Sequence, residues 1–273
     1  VTGFDAGWLG LREPCDHRAR SAELARRFAA ALPASPTLVD LAAGTGSNTR
    51  YLQGLGGLRP EWLLVDSDTL LLDAVRERTG GRVRCRTFDL SHGLAAFNLH
   101  GIDGITMSAF CDLVSAAWLE DFAARAARFG VPVLVAMTVD GRLDLSPGDS
   151  GDAAVLARFR RHQQRDKGFG PALGGAAPPR LCAALRGHGY RVAARRSDWR
   201  LGASDAPMLR ILIDGIAAAA AEQGPAGAAG AEAWRLRRQR QIDTGDLRLR
   251  IGHRDCFAAM AAEKGRSTRV NLT

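Results

Sequence analysis

A chain of 273 residues, 46% hydrophobic and 24% charged, is long enough for one large domain with an ample core and reads as a soluble globular protein. No apolar run approaches the roughly 20 residues that cross a bilayer, which excludes a membrane-spanning helix. The net charge of +8 favours anions, yet the 37 basic residues include only two lysines, Lys167 and Lys264, so the arginine excess reflects a GC-rich coding bias as much as a polyanionic partner.

Residues 16–32, DHRARSAELARRFAAAL, place Leu24, Phe28 and Leu32 at helical spacing, and PASP at 33–36 ends that helix. TLVDL (37–41) is a short apolar strand, and SNTRYLQGL opens a helix behind a glycine turn. EWLLVDSD (61–68) is a second strand ending in acid, followed by the helical TLLLDAVRER. RVRCRTFDL (82–90) and GIDGITMSA (101–109) supply strands three and four, and AAWLEDFAARAARFG an amphipathic helix. VPVLVAMTV (131–139) is near-continuously apolar, as buried parallel strands are.

After residue 140 the rhythm loosens. The loop DGRLDLSPGDSGD leads to a basic helix, AAVLARFRRHQQRD, and KGFGPALGGAAPP to a second helix, PRLCAALRGHGY. RVAARRSDWRL is a sixth strand, and two helices around 204–222 and 231–242 flank a flexible GPAGAAG. LRLRIGHRD (247–255) alternates as an edge strand does. Strands alternating with helices predict an α/β fold, with a seven-stranded mostly parallel sheet, helices on both faces and helical lid additions. A single domain over 1–273 is expected, with an N-terminal helical cap at 1–36. Insertions follow at 141–180 and 203–245, and the final strands at 181–202 and 246–257. The N-terminus lacks a basic-then-apolar signal pattern, so a cytoplasmic location is expected. Five scattered cysteines without a C-x-x-C pair argue against a disulfide framework and a thiolate zinc site.

The chemistry concentrates in VDLAAGTGSNTRYL (39–52), where bare backbone follows the first strand. No lysine follows Gly46, so a P-loop fails, and the dinucleotide fingerprint lacks its third glycine. Asp40, Asp66 and Asp89 instead mark three adjacent strand ends, a setting for hydroxyls and amines rather than for a pyrophosphate.

Together with LLVDSD, TFDLS and GITMSAFCDLVS, this stretch resembles motifs I to IV of the class I S-adenosylmethionine-dependent methyltransferases, in order and in spacing, over residues 37–140. The resemblance implies a Rossmann-like sheet with an antiparallel last strand, 37–140 as its cofactor-binding core, and S-adenosyl-L-methionine as cofactor. It also implies that Ala42 (a relaxation of the usual first glycine), Gly44 and Gly46 line the methionine part, and that Asp66 binds the ribose with Ser67 flanking the adenine. Asp89 and Leu90 would read the adenine edge, Ser108 and Ala109 would sit beneath the sulfonium, and Asp40 would orient the loop or reach the amino group through water. The branch it looks closest to is the trans-aconitate type.

SAFCDLVS carries no proline, unlike the motif of base amino-methyltransferases, so a small-molecule substrate is expected, methylated at a hydroxyl or carboxylate. Nucleic acid is disfavoured as a partner, no membrane partner is expected, and a homodimer stays open. His17, His162 and His253 are candidate general bases; no metal is expected, because their spacing does not suit one. Trp8, Phe110, Trp118, Phe169 and Trp199 are candidates for an aromatic acceptor pocket, Trp118 and Trp199 doubling as core, and GFGPALGG (168–175) for a lid. Seven arginines in 231–254 point either to an anionic substrate or RNA, or to a solvated helix face and a charge-protected edge strand. An RNA or protein methyltransferase and a non-catalytic S-adenosylmethionine-binding protein are the alternatives.

Overall fold

The computed structural model describes residues 5–57, 59–222 and 224–260. Strands β1 (Thr37–Leu41), β2 (Glu61–Asp66), β3 (Arg84–Thr87), β4 (Gly104–Ser108) and β5 (Val133–Ser146) are parallel. The sheet continues through β8 (Arg248–Met260), antiparallel to β5, to β6 (Tyr190–Arg196), giving the order β3-β2-β1-β4-β5-β8-β6.

Three sequence expectations need correction here. The sheet has eight strands rather than seven, because the predicted sixth strand breaks at Ser197 and Asp198, where the Asp198 carboxylate receives Arg142 and Arg250. Its second piece, β7 (Trp199–Leu201), pairs separately with β8. Strand β8 is not an edge strand: it lies between β5 and β6, and its alternating arginines meet carboxylates, Arg250 at Asp198 and Arg254 at Asp140. Strand β5 runs on through a segment that reads as a loop, with register shifts between Val135 and Thr138 and between Val139 and Leu143.

Period-two alternation sends neighbouring side chains to opposite faces. Val39, Ile105 and Val133 pack against helices α5 (Ala116–Phe129) and α7 (Ala177–Gly187). Leu38, Leu64 and Leu134 pack on the other face with α2 (Ala22–Ala30) and α4 (Thr69–Thr79). Helix α3 (Ser47–Gly54) follows the glycine turn. The helix predicted over 16–32 is two helices, α1 (Ala6–Ala19) and α2. The break is made by Ser21, whose side chain caps α2 by accepting from the Leu24 N–H and whose own N–H donates to buried Asp255.

Helices α6 (Asp152–Gln163), α8 (Ala206–Ala221) and α9 (Pro225–Asp243) form a third apolar cluster against the antiparallel end of the sheet, around Trp199, Leu249 and Ile251. The glycine-rich GPAGAAG, expected as a flexible separator, enters α9 from Pro225, a residue suited to the first helical turn. Among the described residues no helix is long and apolar enough to cross a membrane. The single domain expected over 1–273 extends at 1–4 and 261–273 outside the described residues.

Candidate active site

The carboxyl ends of β1, β2 and β4 open on a cleft of about 1130 Å³, the position at which open α/β sheets bind ligands. Ala42 and Gly44 turn the chain there with φ of 52° and 53°. A Cβ on Gly44 would come within 3.2 Å of Leu9 on α1, so a side chain would narrow the passage between turn and helix. At the end of β2, Asp66 Oδ2 accepts the Gly44 N–H at 2.8 Å and Oδ1 accepts the Asp68 N–H at 3.0 Å. The carboxylate thus ties the turn to β2 while each oxygen keeps a lone pair free.

Seven of the ten residues expected to bind a cofactor line this cleft: Ala42, Gly44, Asp66, Ser67, Leu90, Ser108 and Ala109. The other three do not. Gly46 caps α3 at φ 78°, and a Cβ there would press on core residue Leu64 at 3.2 Å. Asp40 is fully buried beneath the turn, accepting from Asn48 Nδ2 at 2.5 Å and Thr106 Oγ1 at 2.7 Å. Burial pushes its carboxyl up to about 6 despite these bonds. Asp89 is exposed and caps a short turn through the Ser91 N–H at 2.8 Å, its pKa lowered by the Ser91 hydroxyl and then by that N–H, while its neighbours Phe88 and Leu90 form the cleft wall.

A second chamber of about 430 Å³ adjoins the cleft. Arg12, Ala109, Asp112, Leu113, His162 and Gln163 line both. Its walls are apolar, with Trp8, Met137, Leu143, Phe159, Trp199 and Ile251. Met137 and Ala109, like Ala42 in the cleft, are non-glycines at positive φ, 54° for both. Strained backbone at three cavity-lining positions follows the tendency of such strain to collect at functional sites. Met137 is held by Asp255, whose Oδ1 accepts its N–H at 2.9 Å.

The three candidate histidines separate. His17 does not line the cleft; its Nε2 is 3.1 Å from the Ser47 carbonyl and clamps α1 to the start of α3. His162 reaches both cavities, but its Nε2 lies 3.2 Å from Glu222. His253 lines the chamber, 2% exposed, and burial lowers its pKa to about 4, which keeps it neutral. Its Nδ1 donates to the Ile251 carbonyl at 3.1 Å, leaving the Nε2 lone pair free.

Sequence reasoning passed over three side chains that shape the junction. Arg12 forms a fork with Asp16, at 2.9 and 3.2 Å, and its guanidinium lies 5.1 Å from the Trp199 ring. Their i,i+4 spacing is visible in LREPCD. Asp112 has a buried Oδ1 without a side-chain partner among the described residues, and burial pushes its carboxyl up to about 6 against the opposing pull of the Asp112 and Val139 backbone amides and of Arg12. Nothing in SAFCDLVS marks that aspartate, since its burial is a tertiary effect. Of the aromatic candidates, Trp8 and Trp199 line the chamber, Phe110 and Phe169 the cleft, and Trp118 lies in the core stacked on Phe122. From the glycine-rich loop, Gly168, Phe169 and Gly174 face the cleft.

Five carboxylates line the cleft (Asp16, Asp66, Asp68, Asp112, Asp166) against two cations (Arg12, Lys167), a balance suited to a cationic ligand rich in hydroxyls. Five of the seven 231–254 arginines meet carboxylates, Arg235 at Glu232 and Asp214, Arg237 at Asp149, fully buried Arg238 at Asp152, Arg250 at Asp198 and Arg254 at Asp140. Exposed Arg240 and Arg248 meet none among the described residues.

No protein-family model matches the chain, and no curated protein matches it. Among solved structures it is similar to a provisionally assigned methyltransferase of Bacillus halodurans, at 14% identity over 89% of this chain and 100% of that one, TM-score 0.50. It is similar to the YcgJ protein of Bacillus subtilis at 12% identity over 90% and 100%, TM-score 0.51. A third is phosphoethanolamine N-methyltransferase 2 of Haemonchus contortus, in complex with phosphomonomethylethanolamine and S-adenosylhomocysteine. That match has 13% identity over 96% of this chain and 59% of the longer enzyme, TM-score 0.51. At these identities the likeness is one of fold: the chain has the Rossmann-like α/β fold of methyltransferases.

Proposed function

We propose that the chain is an S-adenosylmethionine-dependent methyltransferase acting on a small molecule, at a hydroxyl group. The observation that carries this reading is the Asp66 carboxylate held against the Gly44 turn in a cleft richer in acids than in bases. The residues present fit the cofactor. Ala42 and Gly44 leave room for its methionine part, Asp66 has lone pairs for ribose hydroxyls, Ser67 and Leu90 flank an adenine position, and Ser108 and Ala109 lie where β4 ends. The neighbouring folds, one of them in complex with S-adenosylhomocysteine, support the same assignment.

When bound, the cofactor supplies an electrophilic methyl group on a sulfonium. The protein's task is to align the acceptor and exclude water. Leu9 and Phe169 wall the cleft from α1 and from the glycine-rich loop, and Ala109 lies at the junction with the chamber. Of the two acceptor groups expected, the hydroxyl is favoured over the carboxylate of the trans-aconitate branch. The chamber's Arg12 and Arg142 are already neutralised, by Asp16 and by Asp140 with Asp198. A polyanionic RNA is disfavoured by the excess of acids over bases in the cleft. Calorimetric titration with S-adenosylhomocysteine tests the reading: one saturable site per chain is expected, and no binding would overturn it.

A further inference from the structure

Resting on that reading, we propose that the apolar chamber is the methyl-acceptor subsite, that it takes a flat aromatic hydroxy compound, and that Asp112 accepts the hydroxyl proton. An apolar cavity of about 150 Å³ takes a benzene, so a chamber of about 430 Å³ holds a fused-ring molecule. Trp8, Phe159 and Trp199 offer ring faces and edges.

The polar atoms in this wall select further. His253 Nε2 is an acceptor without a partner among the described residues, and half-buried Asp112 lines both cavities although its Oδ1 is sealed off from them. The arginine donors Arg12 and Arg142 are engaged with carboxylates, and Arg160 is exposed. A buried acceptor left unpaired is costly, so the chamber favours a ligand that brings donors. Asp112 lines both cavities, whereas His253 lines only the chamber, so the reacting hydroxyl belongs at Asp112 and a second donor, where present, at His253. In the step itself the acceptor oxygen bonds to the methyl carbon, the carbon–sulfur bond breaks with its electron pair kept by sulfur, and the hydroxyl proton passes to Asp112.

The test uses 2-naphthol and naphthalene as probes, titrated calorimetrically with and without S-adenosylhomocysteine. Wild type should bind 2-naphthol saturably and at least tenfold more tightly than naphthalene. In Asp112→Leu, an apolar replacement of similar size, that preference should fall below threefold. Gly215→Leu, at an exposed α8 position where a Cβ meets nothing within 4 Å, should weaken both probes at least tenfold and leave S-adenosylhomocysteine affinity unchanged. No saturable 2-naphthol binding, or equal affinities in wild type and Gly215→Leu, would overturn the chamber assignment. A preference that persists in Asp112→Leu would overturn the role of Asp112. Saturable 2-naphthol without any uptake of S-adenosylhomocysteine would overturn the cofactor reading instead.

Discussion

At Asp66 two backbone amides and the proposed ribose contact meet on one carboxylate. A charge-assisted hydrogen bond contributes about 1.5–3 kcal/mol, so Asp66→Ala should weaken S-adenosylhomocysteine affinity by about tenfold or more. Calorimetry checks this, and unchanged affinity would remove Asp66 from the site. Gly44→Val places a β-branched side chain at φ 53° and against Leu9, which should abolish measurable binding while circular dichroism stays native. Asp40 gives a pH-dependent prediction. Its folded pKa is raised from 3.8 to about 6, so between these values the folded state holds the proton more tightly and stability falls as pH rises. Asp40→Asn should therefore gain thermal stability relative to wild type between pH 4 and pH 7, a trend that paired melting curves would show or refute. The acids of the strand ends stand out in the sequence, but their divergence does not. Asp40, Asp66 and Asp89 read alike, and only packing buries the first, aims the second at the cleft and leaves the third as a cap.

Between residue and fold, the bulge in β5 is the element that shapes the chamber. Asp255 on β8 accepts from Met137 and, at 2.7 Å, from Ser21 at the start of α2, so one carboxylate holds a strained strand and a helix entry together. Asp255→Ala would leave the buried Met137 N–H and the half-buried Ser21 N–H without that partner, at about 1–3 kcal/mol for the first and less for the second, so a loss of about 1.5–4 kcal/mol is expected in urea unfolding. A change under about 0.5 kcal/mol would refute this role. The parallel strands were legible because burial on both faces writes continuous apolar runs, as in VPVLVAMTV. The antiparallel half was not. Arginines alternating along β8 imitate a solvent-facing pattern, although carboxylates from β5 and the β6–β7 break meet them. The α1–α2 break was missed because Ser21 sits within an unbroken helical periodicity.

Over the whole molecule, the parallel half supplies the cleft and the antiparallel half, with α6, α8 and α9, supplies most of the chamber. The two halves can be separated by mutation. Arg238 is fully buried and bonds Asp152, the Pro147 carbonyl and Gln241. Removing one partner of a fully buried ion pair costs about 3–5 kcal/mol, and since Asp152 is 21% exposed and keeps the Trp234 Nε1 bond, Arg238→Ala should destabilise by about 2–4 kcal/mol in chemical denaturation. Its affinity for S-adenosylhomocysteine should stay within about twofold of wild type, and a larger change would mean that the halves are coupled. The most direct measurement is a crystal structure with S-adenosylhomocysteine bound. The expected result has ribose hydroxyls within hydrogen-bonding distance of Asp66 and the sulfur beside Ser108 and Ala109, facing the chamber of Trp8 and Trp199. The product lodged elsewhere, or its sulfur turned away from that chamber, would contradict it.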